Sequence, residues 1–142
     1  MSSRRLTDCS VAMTACLAEF EAQLHGAQIN FVRACTYRNG LEQLLLYEQG
    51  RSKPGPIVTW LKPGKSRHND TYNGVPSANA ADYYPLLNGK LAGDHTKSEL
   101  ALWEKMGQIG EACGLEWGGR WRNGKTDRPH FQLKKQEASC KK

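Results

Sequence analysis

Three separated stretches of this 142-residue chain carry side chains that could do hydrolytic chemistry together. Gly124 to Leu133 sets Asp127, Pro129 and His130 ahead of a hydrophobic run, Ser66-Arg67-His68 supplies a second histidine, and Ala80-Ala81-Asp82 supplies a second carboxylate. Two neutral imidazole nitrogens and one anionic oxygen bind zinc and leave a fourth position for water, the ligand set of a catalytic site. Each residue also has a plainer use. His130 could pack in a core beside Phe131, Asp127 could open an Asp-x-Pro turn, and His68 could lie in an exposed polar loop. Ser66 reads as a turn partner of His68, since no base accompanies it as a nucleophile would require. Asp70 is a rival to Asp82, but it lacks the hydrophobic flanks of a strand.

The elements that must position these groups are legible from periodicity and punctuation. Thr7 or Ser10 can cap a first helix whose Met13, Leu17, Phe20 and Leu24 recur at helical spacing until His25-Gly26 ends it. Ile29 to Cys35 reads as a strand that delivers Thr36-Tyr37-Arg38 at its end. Leu41 to Tyr47 reads as a short helix with Leu44 and Leu45 inward, followed by a Gly/Pro-rich connection from Gly50 to Gly64. Connections of this length are uncommon unless they shape a site, and this one runs into His68. Ser77 to Leu87 is a second strand carrying Asp82, and Asn88-Gly89 signals a hairpin. Leu102, Met106, Ile109 and Cys113 form the inward stripe of a third helix stopped by Gly114, after which come a short strand at Leu115-Glu116-Trp117, a turn at Gly118-Gly119 and a closing strand at Pro129 to Leu133. Helices and antiparallel strands in this order predict a single α+β domain over residues 1–133, a small antiparallel sheet with helices packed on it. Residues 134–142 read as a basic, fraying tail.

Taken in order, the Ser-x-His, Ala-Asp and Asp-x-Pro-His-Phe segments resemble the M15 family of zinc peptidases, and within it the phage L-alanyl-D-glutamate endopeptidases. The resemblance runs from Arg4 to Leu133 and includes Thr36-Tyr37-Arg38, Tyr47 to Gly55 and Leu115 to Gly119. It implies a Hedgehog/DD-peptidase-like fold, Zn²⁺ held by His68, Asp82 and His130, Asp127 as general base three residues before the last histidine, and Arg38 facing the developing oxyanion. Arg51, Ser66 and Trp117 are candidates for contact with substrate, and Trp121 and Phe131 could wall the same cleft or fill the core. The chain departs from the family pattern in the wider spacing between His68 and Asp82, where the polar segment Asn69 to Ala78 is expected to bulge out.

Composition constrains the rest. With 20 Lys+Arg against 14 Asp+Glu the chain carries +6, which favours an anionic partner such as a wall polymer, a membrane surface or nucleic acid. No nucleic-acid motif is present and the aromatics are not interleaved with a basic strand, so nucleic acid is not expected. The five cysteines, an odd number without C-x-x-C spacing, indicate reduced thiols. The opening Met-Ser-Ser-Arg-Arg has no apolar signal stretch and no run reaches membrane-spanning length. The expectation is a monomeric zinc endopeptidase cutting the L-alanyl-D-glutamate bond of the peptidoglycan stem peptide, a phage endolysin held in the host cytoplasm until lysis and then acting on the wall in the periplasm. The alternatives are a D-alanyl-D-alanine carboxypeptidase of the same fold and a non-catalytic, zinc-containing wall-binding module.

Overall fold

A computed structural model describes residues 2–134, so all of the expected tail except Lys134 lies outside the described residues. In chain order the elements are α1 (Val11–Gly26), β1 (Phe31–Cys35), α2 (Gly40–Glu48), β2 (Thr71–Tyr72), β3 (Val75–Pro76), β4 (Ala80–Leu87), β5 (Lys90–Leu91), α3 (Lys97–Ala112), β6 (Leu115–Trp117) and β7 (His130–Leu133). The main sheet runs β1-β4-β7-β6 with β5 paired to β4, every pairing antiparallel, and β2 and β3 form a separate hairpin. This is the predicted α+β arrangement. No helix among the described residues is long and apolar enough to cross a membrane.

The core lies between one face of the sheet and the helices α1 and α3. Ser10 caps α1 by accepting from the backbone of Met13, which fixes the phase that buries Met13, Leu17, Phe20 and Leu24. Phe20 meets Phe131 of β7 at 4.7 Å and Tyr83 of β4 at 5.1 Å between ring centroids. On α3 the buried residues are Trp103, Met106, Gly107 and Gly110, while Leu102, Ile109 and Cys113 are only partly buried against them. The expected stripe is therefore rotated, because two glycines, invisible to a hydrophobicity count, are the contact surface. A Cβ on Gly107 would come within 2.3 Å of the Trp117 ring, and one on Gly110 within 2.6 Å of the Phe131 ring.

In α2, Leu44 and Leu45 are 38% and 48% exposed, and the residue turned inward is Gln43. This overturns the expected inward leucines. What surrounds that face is polar, the Arg38 guanidinium and the backbone of the Thr59–Leu61 segment, and buried polar groups require hydrogen-bonding partners that leucine cannot supply.

Because alanine favours a helix over glycine by about 1 kcal/mol, Gly107→Ala would stabilise an unpacked α3. Here we expect it to destabilise the fold by about 1–3 kcal/mol through overpacking against Trp117. A urea melt that places the variant at or above the parent midpoint would show that α3 is not seated on that ring.

Candidate metal centre

Strand register aligns one row of side chains across the sheet. Cys35 of β1 stands opposite Asp82 of β4, and Asp82 stands opposite His130 of β7. Directly opposed residues on antiparallel strands project to the same face, so this row lies on one side while the alternate residues Ala81, Tyr83 and Phe131 enter the core. A register irregularity between Arg33 and Cys35 brings Cys35 into the row and ends the regular pairing of β1 just before Thr36-Tyr37-Arg38.

His68 reaches the row from a 3₁₀ turn, Arg67–Asn69, packed over the end of β1. The Ser66 hydroxyl caps this turn by accepting from the His68 backbone N–H at 3.1 Å. The turn is stitched to the chain after β1: the Arg38 N–H donates to the His68 carbonyl at 2.9 Å, and the Asn69 amide donates to the Arg38 carbonyl at 2.8 Å. Ser66 is thus a structural partner of His68, buried rather than open to a substrate.

The segment between His68 and Asp82 folds out as the β2–β3 hairpin. Asn73 and Gly74 both take positive φ, 52° and 80°, the backbone of a tight two-residue turn in which asparagine and glycine are at home. The Ser77 N–H donates to the Asp70 carbonyl at 2.9 Å and closes the base. Asp70 is engaged there, its carboxylate accepting from Arg67 at 3.2 Å and from Asn79 at 2.8 Å. Asp82 is the carboxylate beside the histidines.

His68 Nε2 lies 3.2 Å from Asp82 Oδ1, and His130 Nδ1 lies 3.6 Å from the same oxygen. The outer nitrogens are committed elsewhere: His68 Nδ1–H donates to the Thr36 carbonyl at 2.7 Å, and His130 Nε2–H donates to Gln132 Oε1 at 2.8 Å. Such outer hydrogen bonds orient a metal-binding imidazole and fix which nitrogen faces inward. Bonds of about 2.0–2.1 Å in a tetrahedron separate ligand atoms by about 3.3 Å, so the spacing suits a zinc-like ion. Cys35 belongs to an overlapping cluster with His68 and Asp82 whose donor atoms lie within 4.8 Å of one another. Its sulfur, however, is 3.8 Å from His68 Nδ1, the nitrogen already given to Thr36, so His130 completes the better set.

Electrostatics agree with a site built for a cation. Burial disfavours the charge on Asp82, yet the adjacent imidazoles hold its carboxyl well below the ordinary carboxylate range. Burial likewise opposes a proton on His68, and the Asp82 carboxylate overrides it and raises the imidazolium. Arg38 adds a guanidinium 3.6 Å from Asp82. Asp127, at the open rim, has its carboxyl raised by desolvation and by the charge of Asp82, against the lowering pull of His130, His68 and Arg38. It is placed by Gly118, whose carbonyl accepts from the Asp127 N–H at 2.9 Å and whose missing Cβ would otherwise stand 2.4 Å from the Asp127 carbonyl oxygen.

Other candidates go elsewhere. Trp117 is buried, stacked on Phe131, and donates its indole N–H to the Arg128 carbonyl at 2.7 Å, so it braces the loop carrying Asp127. Phe131 is core as well. Trp121 is the tryptophan at the site, its ring 4.9 Å from that of His130. Arg51 stacks on Tyr47 at 3.8 Å and faces Trp60 at 5.8 Å, inside the long connection. A depression of about 290 Å³, lined by Tyr84, Gly93, Asp94, Trp103 and Arg128, opens beside Asp127. Sequence reasoning missed Gln43, Gln132 and the Thr36 carbonyl, for which no motif exists. It also missed the β2–β3 hairpin, which the Asn73-Gly74 pair did signal.

Residues 64–133 match a peptidase M15 family model described as D-alanyl-D-alanine carboxypeptidase, an interval that contains His68, Asp82, Asp127 and His130. The chain is 34% identical over 98 residues to the peptidoglycan L-alanyl-D-glutamate endopeptidase CwlK of Bacillus subtilis, across 68% of this chain and 56% of that protein. It thus spans little more than half the length of that relative. The crystal structure of the L-Ala D-Glu endopeptidase ChiX of Serratia marcescens superposes with a TM-score of 0.62 at 17% identity, covering 94% of this chain and 89% of that one, which shows a shared fold.

With the His68 imidazolium raised by the Asp82 carboxylate, binding of a metal ion at these nitrogens is expected to displace a proton. Calorimetric titration of the metal-free protein with Zn²⁺ near pH 7, in buffers of different ionisation enthalpy, should register release of about one proton and an apparent affinity that climbs with pH. Buffer-independent heats would show that His68 is not displaced from its proton by the ion.

Proposed function

Since the chain carries a peptidase M15 family domain, we propose that it is a zinc-dependent peptidoglycan endopeptidase cleaving the L-alanyl-D-glutamate bond of the stem peptide. The observation that supports this reading most directly is Asp82 between His68 Nε2 and His130 Nδ1, with the Arg38 guanidinium 3.6 Å from the same carboxylate and Asp127 close enough to feel its charge. Zinc held by His68, Asp82 and His130 would supply Lewis acidity toward water and toward the scissile carbonyl.

The chain's own groups perform the rest. Asp127 takes the proton of the attacking water and passes it to the departing D-glutamyl amine. A carboxyl raised above its ordinary value by desolvation and by the Asp82 charge suits that double duty, because it must both accept and return a proton. Arg38 faces the negative charge that develops on the carbonyl oxygen, and its fixed guanidinium costs no reorganisation when that charge appears. Thr36 and Gln132 hold the imidazoles in place. A depression that could receive part of the peptide opens beside Asp127, with Arg128 on its rim ion-paired to Asp94 at 3.4 Å. We take the working unit to be a monomer. We extend the reading to a lytic role, an enzyme made in a host cytoplasm that reaches the wall through a separate membrane lesion, as the resemblance to phage endopeptidases implies.

Digestion of purified peptidoglycan tests the assignment. Mass spectrometry should find new L-alanine carboxyl and D-glutamate amino ends that disappear on chelation, return with Zn²⁺, and fall by a factor of about 10² or more in Asp127→Ala. Release of free D-alanine would instead identify a carboxypeptidase. A folded, zinc-loaded sample that leaves the polymer intact would point to a binding module.

A further inference from the structure

Gln43 is fully buried on the inward face of α2, five residues after Arg38, in a position that the sheet-facing hydrophobic pattern does not explain. Its side chain spans two parts of the molecule. Oε1 accepts from Arg38 Nη1 at 3.0 Å, and Nε2 donates to the Leu61 carbonyl at 2.7 Å and to Thr59 Oγ1 at 3.3 Å. Both donor hydrogens and the acceptor oxygen of the amide are therefore employed. The amide has one workable orientation, since a flip would set its NH₂ against a guanidinium and its oxygen against a carbonyl. α2 itself starts immediately after Arg38 through a capping box, with Asn39 Oδ1 accepting from the Glu42 N–H at 2.9 Å and Glu42 Oε1 accepting from the Asn39 N–H at 3.1 Å. This fixes the phase that turns Gln43 back onto Arg38. Arg38 needs the help: its Nε is buried without a hydrogen-bond partner, Asp82 is 3.6 Å from Nη2, and Cys35 Sγ is a weak acceptor at 3.6 Å from the same nitrogen.

We propose that Gln43 is a positioning residue that holds the Arg38 guanidinium at the active carboxylate while pinning the Thr59–Leu61 segment of the long connection, so that arginine and loop are set by one side chain. The proposal rests on the reading of Arg38 as the group facing the oxyanion. It accounts for a polar residue in the middle of an exposed leucine helix and for the junction between the loop and the site.

A double-mutant cycle tests it, with kcat and KM measured on a soluble muropeptide and zinc content and folding checked for each variant. Arg38→Met should lower kcat by about a hundredfold. Gln43→Met should lower it by about tenfold through misplacement of the guanidinium, with a smaller change in KM. The double variant should be no worse than Arg38→Met alone, since Gln43 acts through that arginine. Gln43→Asn, one methylene too short to span both partners, replaces Gln43→Met if the latter does not fold. Losses that multiply, or a kcat within about twofold of the parent, overturn the proposal. A second readout does not depend on turnover. The buried Arg38 Nε–H should give a slowly exchanging ¹H–¹⁵N signal that Gln43→Met broadens or abolishes, and a signal left unchanged in a folded variant also overturns it. If the unsubstituted protein cleaves no L-alanyl-D-glutamate bond, the peptidase reading fails by itself and the Arg38 signal alone decides the role of Gln43.

Discussion

Two imidazoles share one carboxylate, and the rest of the structure serves that contact. Asp82 Oδ1 is 3.2 Å from His68 and 3.6 Å from His130 while largely removed from water, a position that would be costly for an unpaired anion. Removing one partner of such a buried set leaves a charge without compensation, so the arrangement tolerates little drift. The constraint then passes outward. His130 is fixed by β7 register, Asp82 by β4 register on both edges, and His68 by a turn that is hydrogen-bonded to the chain following β1.

Register in turn depends on packing behind the sheet. A slip of one residue along β4 would exchange Asp82 for Ala81 or Tyr83 and send a carboxylate into the aromatic core formed by Phe20, Phe131 and Trp117. Gly107 and Gly110 let α3 sit flush on these rings, and the same Trp117 uses its indole N–H to brace the loop that carries Asp127. Core and candidate site are therefore coupled through one tryptophan: its ring fills the interior and its polar edge holds the loop that carries Asp127.

Much of this was legible in the sequence, for identifiable physical reasons. The spacing of Met13, Leu17, Phe20 and Leu24 announced α1, and Asn88-Gly89 announced its hairpin, because helical periodicity and positive-φ turns leave local signatures. The choice of Asp82 over Asp70 came from strand context, and the structure places Asp82 beside the two histidines with Asp70 tied to Arg67 and Asn79. What stayed hidden is long-range. Leu44 and Leu45 look inward-facing until the polar surroundings of Gln43 are known, and those surroundings come from Arg38 and from a segment some sixteen residues further along the chain. Trp117 and Trp121 are indistinguishable as residue types, and only the opposite strand makes one core and the other a neighbour of His130. The role of glycine in α3 is likewise invisible without the rings it admits.

The most direct test of the central contact is X-ray absorption at the zinc edge on protein loaded with one equivalent of Zn²⁺. The expected spectrum has a first shell of nitrogen and oxygen only, at about 2.0–2.1 Å, with the outer-shell scattering of two imidazoles. A sulfur contribution at about 2.3 Å would assign Cys35 to the ion in place of His130, and would contradict the ligand set on which the proposed chemistry is built.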